Sequence, residues 1–240
     1  MWFEAVQAGG PPVVRFYRWN PRCLSLGRNQ PARVSLPELE ARGIDLVRRP
    51  TGGLAVLHDQ ELTYCVVLPV GWAGSPRATY QAINQSLLGG LLTLGARAHA
   101  TLQDNVCMAR ASTTPATFRK GGSCFAGTAP GEIVAGGRKL IGSAQRCERR
   151  AILQHGSILL AGDQGIAARL LGAAPDDTAT GLQDLIGQVP NWADLVRVFS
   201  DALASDLGIG LAPSSLPLEH RARVEELTVH FESPEWTFRV

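Results

Sequence analysis

A chain of 240 residues with 45% apolar content is long enough to bury one sizeable core, and we read it as a single domain spanning 1–240. Its 23 basic and 21 acidic side chains are spread along the sequence and leave a formal net charge of +2, which excludes the basic field that a nucleic-acid partner requires. Five cysteines (Cys23, Cys65, Cys107, Cys124, Cys147) form an odd set without a CxxC pair, which argues against a disulfide framework and a zinc site. With no basic and apolar leader at the N-terminus and no run of about 18 apolar residues, the expectation is a reduced, cytoplasmic protein without a membrane partner.

In chain order, short apolar runs punctuated by glycine and proline predict strands at 13–19, 45–48, 54–57 and 61–68. Ser75 supplies an N-cap and Pro76 a first-turn proline. Tyr80, Ile83, Leu87, Leu91 and Leu94 then follow at spacings of three and four until Gly95, the pattern of an amphipathic helix. Strand character returns at 132–135 and 138–141, and Gly136-Gly137 between them takes the positive φ of a tight hairpin, so that Lys139 falls just past its tip. The stretch 172–180, with Pro175 and paired aspartates, is too short to divide the chain into domains. Asn191 caps a helix in which Trp192, Leu195, Phe199, Leu203 and Leu207 share a face ahead of Gly208. A further helix is expected at 219–229, so helices dominate the last third.

Three segments are polar and glycine-rich in ways a core does not require. In Arg48-Arg49-Pro50-Thr51-Gly52-Gly53 the adjacent glycines let backbone N–H groups approach a ligand, and Arg49 is suited to a carbonyl or phosphate. A β-turn with solvated arginines fits the same spacing. In Gly121-Gly122-Ser123-Cys124-Phe125 a cysteine sits in a glycine-flanked loop with Arg119 and Lys120 upstream. Access and positive surroundings suit a reactive thiol there, whereas Cys23, Cys65, Cys107 and Cys147 read as small buried hydrophobes. The third segment joins Lys139-Leu140-Ile141-Gly142-Ser143-Ala144-Gln145 to Gln154-His155-Gly156-Ser157. Lys139 reads either as a solvated strand-end lysine or as an ammonium reaching a ligand, and His155 as a base or a core histidine.

Together with Tyr17-Arg18-Trp19-Asn20-Pro21, Ser25-Leu26-Gly27-Arg28-Asn29-Gln30 and Ser233-Pro234-Glu235-Trp236, these motifs resemble the lipoate–protein ligase and octanoyltransferase superfamily over almost the whole chain. His58-Asp59-Gln60-Glu61-Leu62-Thr63-Tyr64 and the Cys124-Phe125 dipeptide upstream of Lys139 are most similar to the branch that transfers octanoyl groups through cysteine. The resemblance implies an α+β fold of the class II aminoacyl-tRNA synthetase and biotin synthetase type, a mixed, mostly antiparallel sheet flanked by helices. It also implies an octanoyl-[acyl carrier protein]:protein N-octanoyltransferase of lipoate biosynthesis. Acyl carrier protein would be its donor, and a lysine of a 2-oxoacid dehydrogenase lipoyl domain or of glycine-cleavage H protein its acceptor.

On the same resemblance Cys124 is the acyl-thioester nucleophile and Lys139 the cation that favours its thiolate. Arg49, Thr51, Gly52, Gly53, His58, Gly142, Ser143, Ala144, His155 and Gly156 are implied to bind substrate, with no metal and no cofactor. Two departures stand out: Leu54 replaces the usual glycine or arginine, and the family's opening helix is expected to be shortened to a remnant at Phe3-Glu4-Ala5-Val6. Three rivals remain. They are an ATP-dependent lipoate–protein ligase, in which Lys139 and the Arg49 loop hold an acyl-adenylate, a lipoyl amidotransferase using the same cysteine, and a silent acyl-binding protein.

Overall fold

The computed structural model describes residues 1–101, 123–125, 131–174, 177–215 and 217–240. The readings on Cys107, on Arg119, Lys120, Gly121 and Gly122, and on Pro175 with Asp176 lie outside the described residues.

In chain order the elements are α1 (Trp2–Gln7), β1 (Val13–Tyr17), β2 (Cys23–Leu26), α2 (Leu36–Ala41), β3 (Asp45–Arg48), β4 (Val56–His58), β5 (Glu61–Pro69), α3 (Pro76–Thr93) and β6 (His99–Ala100). They continue with β7 (Ile133–Ala135), β8 (Arg138–Cys147), β9 (Ala151–Leu159), α4 (Gly165–Leu170), α5 (Leu182–Ile186), α6 (Trp192–Leu207), α7 (Arg221–Glu232) and α8 (Pro234–Thr237). Six strands form an antiparallel sheet in the order β1-β5-β9-β8-β7-β6. A smaller sheet, β3-β2-β4, pairs β2 with β3 in parallel and with β4 antiparallel. The mixed, mostly antiparallel architecture flanked by helices is therefore present, divided between two sheets. No helix among the described residues is long and apolar enough to cross a membrane.

Strand alternation assigns the two faces of the large sheet. Leu62, Tyr64, Val66 and Leu68 of β5 point into a core closed by Ile83, Leu87 and Leu91 of α3 and by Leu195, Phe199, Leu203 and Leu207 of α6. Both helices begin where local chemistry says they should. The Ser75 hydroxyl accepts from the Ala78 N–H, the Asn191 side chain accepts from the Asp194 N–H, and Gly208 ends α6 at φ 62°. The intervening residues Thr63 and Cys65 face the other way, opposite Ser157 and His155 of β9, which pair in turn with Gly142 and Ala144 of β8. These six positions floor the site.

One strand and one cysteine expectation shift for visible reasons. The strand expected at 54–57 begins at Val56, because Gly53 turns at φ 88° and the Leu54 carbonyl is held by Arg49. Among the cysteines read as buried, Cys23 is buried, Cys65 is half-buried and Cys147 is exposed, at the end of β8 where the strand leaves the core. Burial pushes the Cys23 and Cys65 thiols up to about 12, so neither is a nucleophile at neutral pH.

Candidate active site

The two arginines that precede the glycine pair are adjacent at the end of a strand, so they leave on opposite sides. Neither is solvated. Arg48, 1% exposed, donates to the carbonyls of Thr237 (2.9 Å), Gly27 (2.7 Å) and Gln30 (2.6 Å), and its own carbonyl accepts from Trp236 Nε1 at 2.7 Å. It ties the C-terminal segment to the loop after β2. Arg49 turns inward and spends its donors on the carbonyls of Ser25 (3.0 Å), Gly52 (2.8 Å) and Leu54 (2.7 Å). Burial lowers its pKa from the ordinary value, and the nearby Cys124 opposes that. The solvated-arginine reading of this turn is thus corrected. Arg49 shapes the Thr51-Gly52-Gly53 loop from within and contributes positive charge to the site.

Cys124 hangs from that loop. Its N–H donates to the Ala55 carbonyl at 2.7 Å, and Ala55 and Ser123 bridge in parallel. From the other side Thr178 Oγ1 donates to the Phe125 carbonyl, and the Lys139 backbone exchanges hydrogen bonds with Thr178 (2.7 Å) and Thr180 (3.0 Å). Phe125 is buried beside Val56 and Leu159, with Cys124 packed partly against them.

Lys139 is where the hairpin places it. Gly136 and Gly137 turn at φ 57° and 76°, and the first strand of the pair brings Val134 opposite Lys139. Its side chain is 1% exposed, which corrects the solvated strand-end alternative. Nζ donates to Glu132 Oε1 at 2.6 Å and to the Cys124 carbonyl at 2.8 Å, and it lies 3.5 Å from Cys124 Sγ. Burial pulls the Lys139 pKa down, but the charges of Cys124 and Glu132 and their hydrogen bonds outweigh it and hold it above the ordinary value. An ammonium so placed stays charged. Sequence reasoning assigned Glu132 no role, although a signal was there: it is an acid two positions before the cross-strand partner of the lysine.

The remaining expected residues divide by strand face. Gly142, Ala144 and His155 lie on the face that floors the site, and Arg49, Gly53, His58, Cys124 and His155 line one cavity of about 1560 Å³. A Cβ at Gly142 would stand 3.2 Å from the Phe125 ring and 3.4 Å from Lys139 Cε, so a side chain there would shift both by a few tenths of an ångström. Ser143 points to the helical layer, where its hydroxyl meets Tyr64 Oη at 2.7 Å, so only its backbone faces the cavity. Gly156 sits against the Gly142 carbonyl and the Tyr64 ring. Thr51 joins the site through its hydroxyl, 2.6 Å from His155 Nε2. Burial first, then the charge of Arg49, lowers the His155 pKa to about 3. His155 is therefore neutral at physiological pH and too weak a base to hold an abstracted proton, which sets aside its reading as a base. Gly52 is exposed, with nothing near the position of a Cβ. Among the described residues no group of three or more His, Cys, Asp or Glu side chains could hold a metal.

A buried cation beside a cysteine in a large cavity is suited to thiolate chemistry on a bound carbonyl. Known proteins resemble this chain in sequence and in fold. Residues 2–204 match the model of the lipoyl protein ligase A/B catalytic domain. An octanoyltransferase LipM of Kyrpidia tusciae is 36% identical over 95% of this chain and 88% of its own, and one of Staphylococcus aureus is 32% identical over 95% and 87%. Among solved structures, a lipoate–protein ligase A bound with ATP superposes with a TM-score of 0.77 at 21% identity, covering 99% of this chain and 91% of that one. A bipartite lipoate protein ligase of Thermoplasma acidophilum gives 0.73 at 19%, covering 99% and 89%.

Proposed function

From the premise that this chain belongs to the lipoyl protein ligase A/B catalytic domain family, we propose that it is an acyltransferase working through Cys124. It moves an octanoyl group from acyl carrier protein to a lysine of a lipoyl domain or of glycine-cleavage H protein, in lipoate biosynthesis. One observation carries the reading. Lys139 Nζ lies 3.5 Å from Cys124 Sγ on the wall of a cavity with room for an acyl chain.

The steps balance without nucleotide, because a thioester is already activated. The Cys124 thiolate attacks the acyl carbonyl; a new C–S bond forms, the carrier C–S bond breaks, and the carrier sulfur leaves and takes up a proton. The neutral amine of the acceptor lysine then attacks the acyl-Cys124 thioester, the Cys124 C–S bond breaks, and the amine proton passes to solvent. The Cys124 thiolate is nucleophile in the first step and leaving group in the second, so one ammonium serves both. The Cys124 N–H is committed to Ala55, and Lys139 and Arg49, whose donors are engaged as well, contribute positive charge where negative charge develops on the reacting oxygen.

The test is a transfer assay with octanoyl-carrier and a purified lipoyl domain, with and without ATP. Octanoylation of the domain lysine without ATP is the expected result. Transfer that requires ATP would replace this reading with a ligase.

A further inference from the structure

The proposed acyl transfer makes no use of Glu61, a carboxylate 2% exposed at the start of β5. Its Oε1 accepts from His58 Nδ1 at 2.7 Å and from Thr63 Oγ1, and its Oε2 accepts from Ser157 Oγ at 2.6 Å. A carboxylate only accepts, so His58 Nδ1 must carry a hydrogen. The other ring nitrogen, Nε2, stands 2.9 Å from Ser25 Oγ. The same oxygen accepts from Arg49 Nη1, 3.2 Å away. One continuous chain of hydrogen bonds therefore runs from Arg49 through Ser25 and His58 to Glu61. Trp19, stacked on His58 at 4.5 Å and 14°, fixes the plane of the ring.

At its far end the chain meets the nucleophile's support. Arg49 Nη2 holds the Gly52 and Leu54 carbonyls, and the next carbonyl, that of Ala55, holds the Cys124 N–H. We infer that Glu61 is a positioning residue for acyl transfer, acting through His58 and Ser25 to orient Arg49 and the loop from which Cys124 hangs. This rests on the proposed chemistry at Cys124. In Glu61→Gln the amide nitrogen that takes the place of Oε2 only donates, so the Ser157 hydroxyl must turn round to accept, and the negative charge facing His58 Nδ1 is lost, which loosens the chain at its anchored end.

The experiment measures single-turnover acylation of Cys124 by octanoyl-carrier in Glu61→Gln, Ser25→Ala and the double variant. Carrier KM, melting temperature and peptide-mapped iodoacetamide alkylation of Cys124 are followed in parallel. Each single change is expected to slow acylation and alkylation about tenfold, with KM within about twofold, and the double variant to fall no further than the slower single. Ser25→Ala leaves Glu61, His58 and Thr63 in place, so it decides the matter even if Glu61→Gln does not fold. Wild-type rates in Ser25→Ala, a change confined to KM, or a double variant whose loss is the product of the two singles would overturn the inference. Wild-type protein that is alkylated at Cys124 but never acylated would instead remove the underlying function, and the alkylation rates would still decide the positioning role.

Discussion

Replacing Lys139 separates its two jobs, structural and chemical. Lys139→Met strips the buried Glu132 carboxylate of its ammonium, and breaking a buried pair from one side costs about 3–5 kcal/mol. For a chain of this size that lowers the melting temperature by roughly 6–20 °C. Lys139→Met combined with Glu132→Gln removes both charges, and we expect it to recover most of the loss. Chemistry does not recover. The double variant also takes away the ammonium 3.5 Å from Cys124 Sγ together with a carboxylate no farther from that sulfur than about 6 Å, two charges that act on it in opposite senses. Alkylation of Cys124 should then slow by roughly tenfold, and by no more than about thirtyfold. Thermal melts and peptide-mapped iodoacetamide kinetics read the two effects separately. A double variant with both wild-type stability and wild-type alkylation would refute the reasoning, leaving Lys139 a structural residue.

Three other perturbations probe the surroundings. A Cβ at Gly27 would stand 1.8 Å from the Gly53 carbonyl, so Gly27→Ala must push the Thr51-Gly52-Gly53 loop outward by about 1 Å; the protein should fold and lose about a hundredfold in transfer rate, and unchanged transfer would count against the loop's role. Gly90→Ala would ordinarily gain helix propensity, but its methyl would lie 2.6 Å from the Phe199 ring where α3 meets α6; denaturant titration should show a net loss of about 1–2 kcal/mol, and a gain would show that the contact relaxes freely. His155 has a folded pKa of about 3 against 6.5 for an ordinary histidine, so the unfolded chain binds the extra proton and the stabilisation present above pH 6.5 is lost progressively toward pH 3. By pH 5 that loss is about 2 kcal/mol, and His155→Gln should be less acid-sensitive by that amount in urea titrations; parallel pH profiles would contradict the assignment.

What the sequence revealed follows the range of the interactions involved. The caps at Ser75 and Asn191 and the turn at Gly136-Gly137 are decided within a few residues, and α3, α6 and the β7–β8 hairpin stand where their patterns put them. Arg48 and Arg49 were ambiguous because what buries them is distant: Arg48 reaches Thr237, 189 positions away, and Arg49 reaches Ser25 on another strand. Ser143 could have been separated from Gly142 and Ala144 by strand parity alone, since alternate residues of β8 face opposite layers. The pairing of Cys124 with Lys139 came from family resemblance. No spacing rule predicts it, because the contact depends on Ala55 holding one side of the cysteine and Thr178 the other.

The proposed transfer requires a covalent acyl group at one sulfur, and intact-protein mass spectrometry with peptide mapping addresses it directly. After incubation with octanoyl-carrier and no nucleotide, the protein should gain one octanoyl group, mapped to Cys124, cleaved by neutral hydroxylamine and absent from Cys124→Ser. An adduct on another residue, or a Cys124→Ser protein that still octanoylates a lipoyl domain, would contradict it.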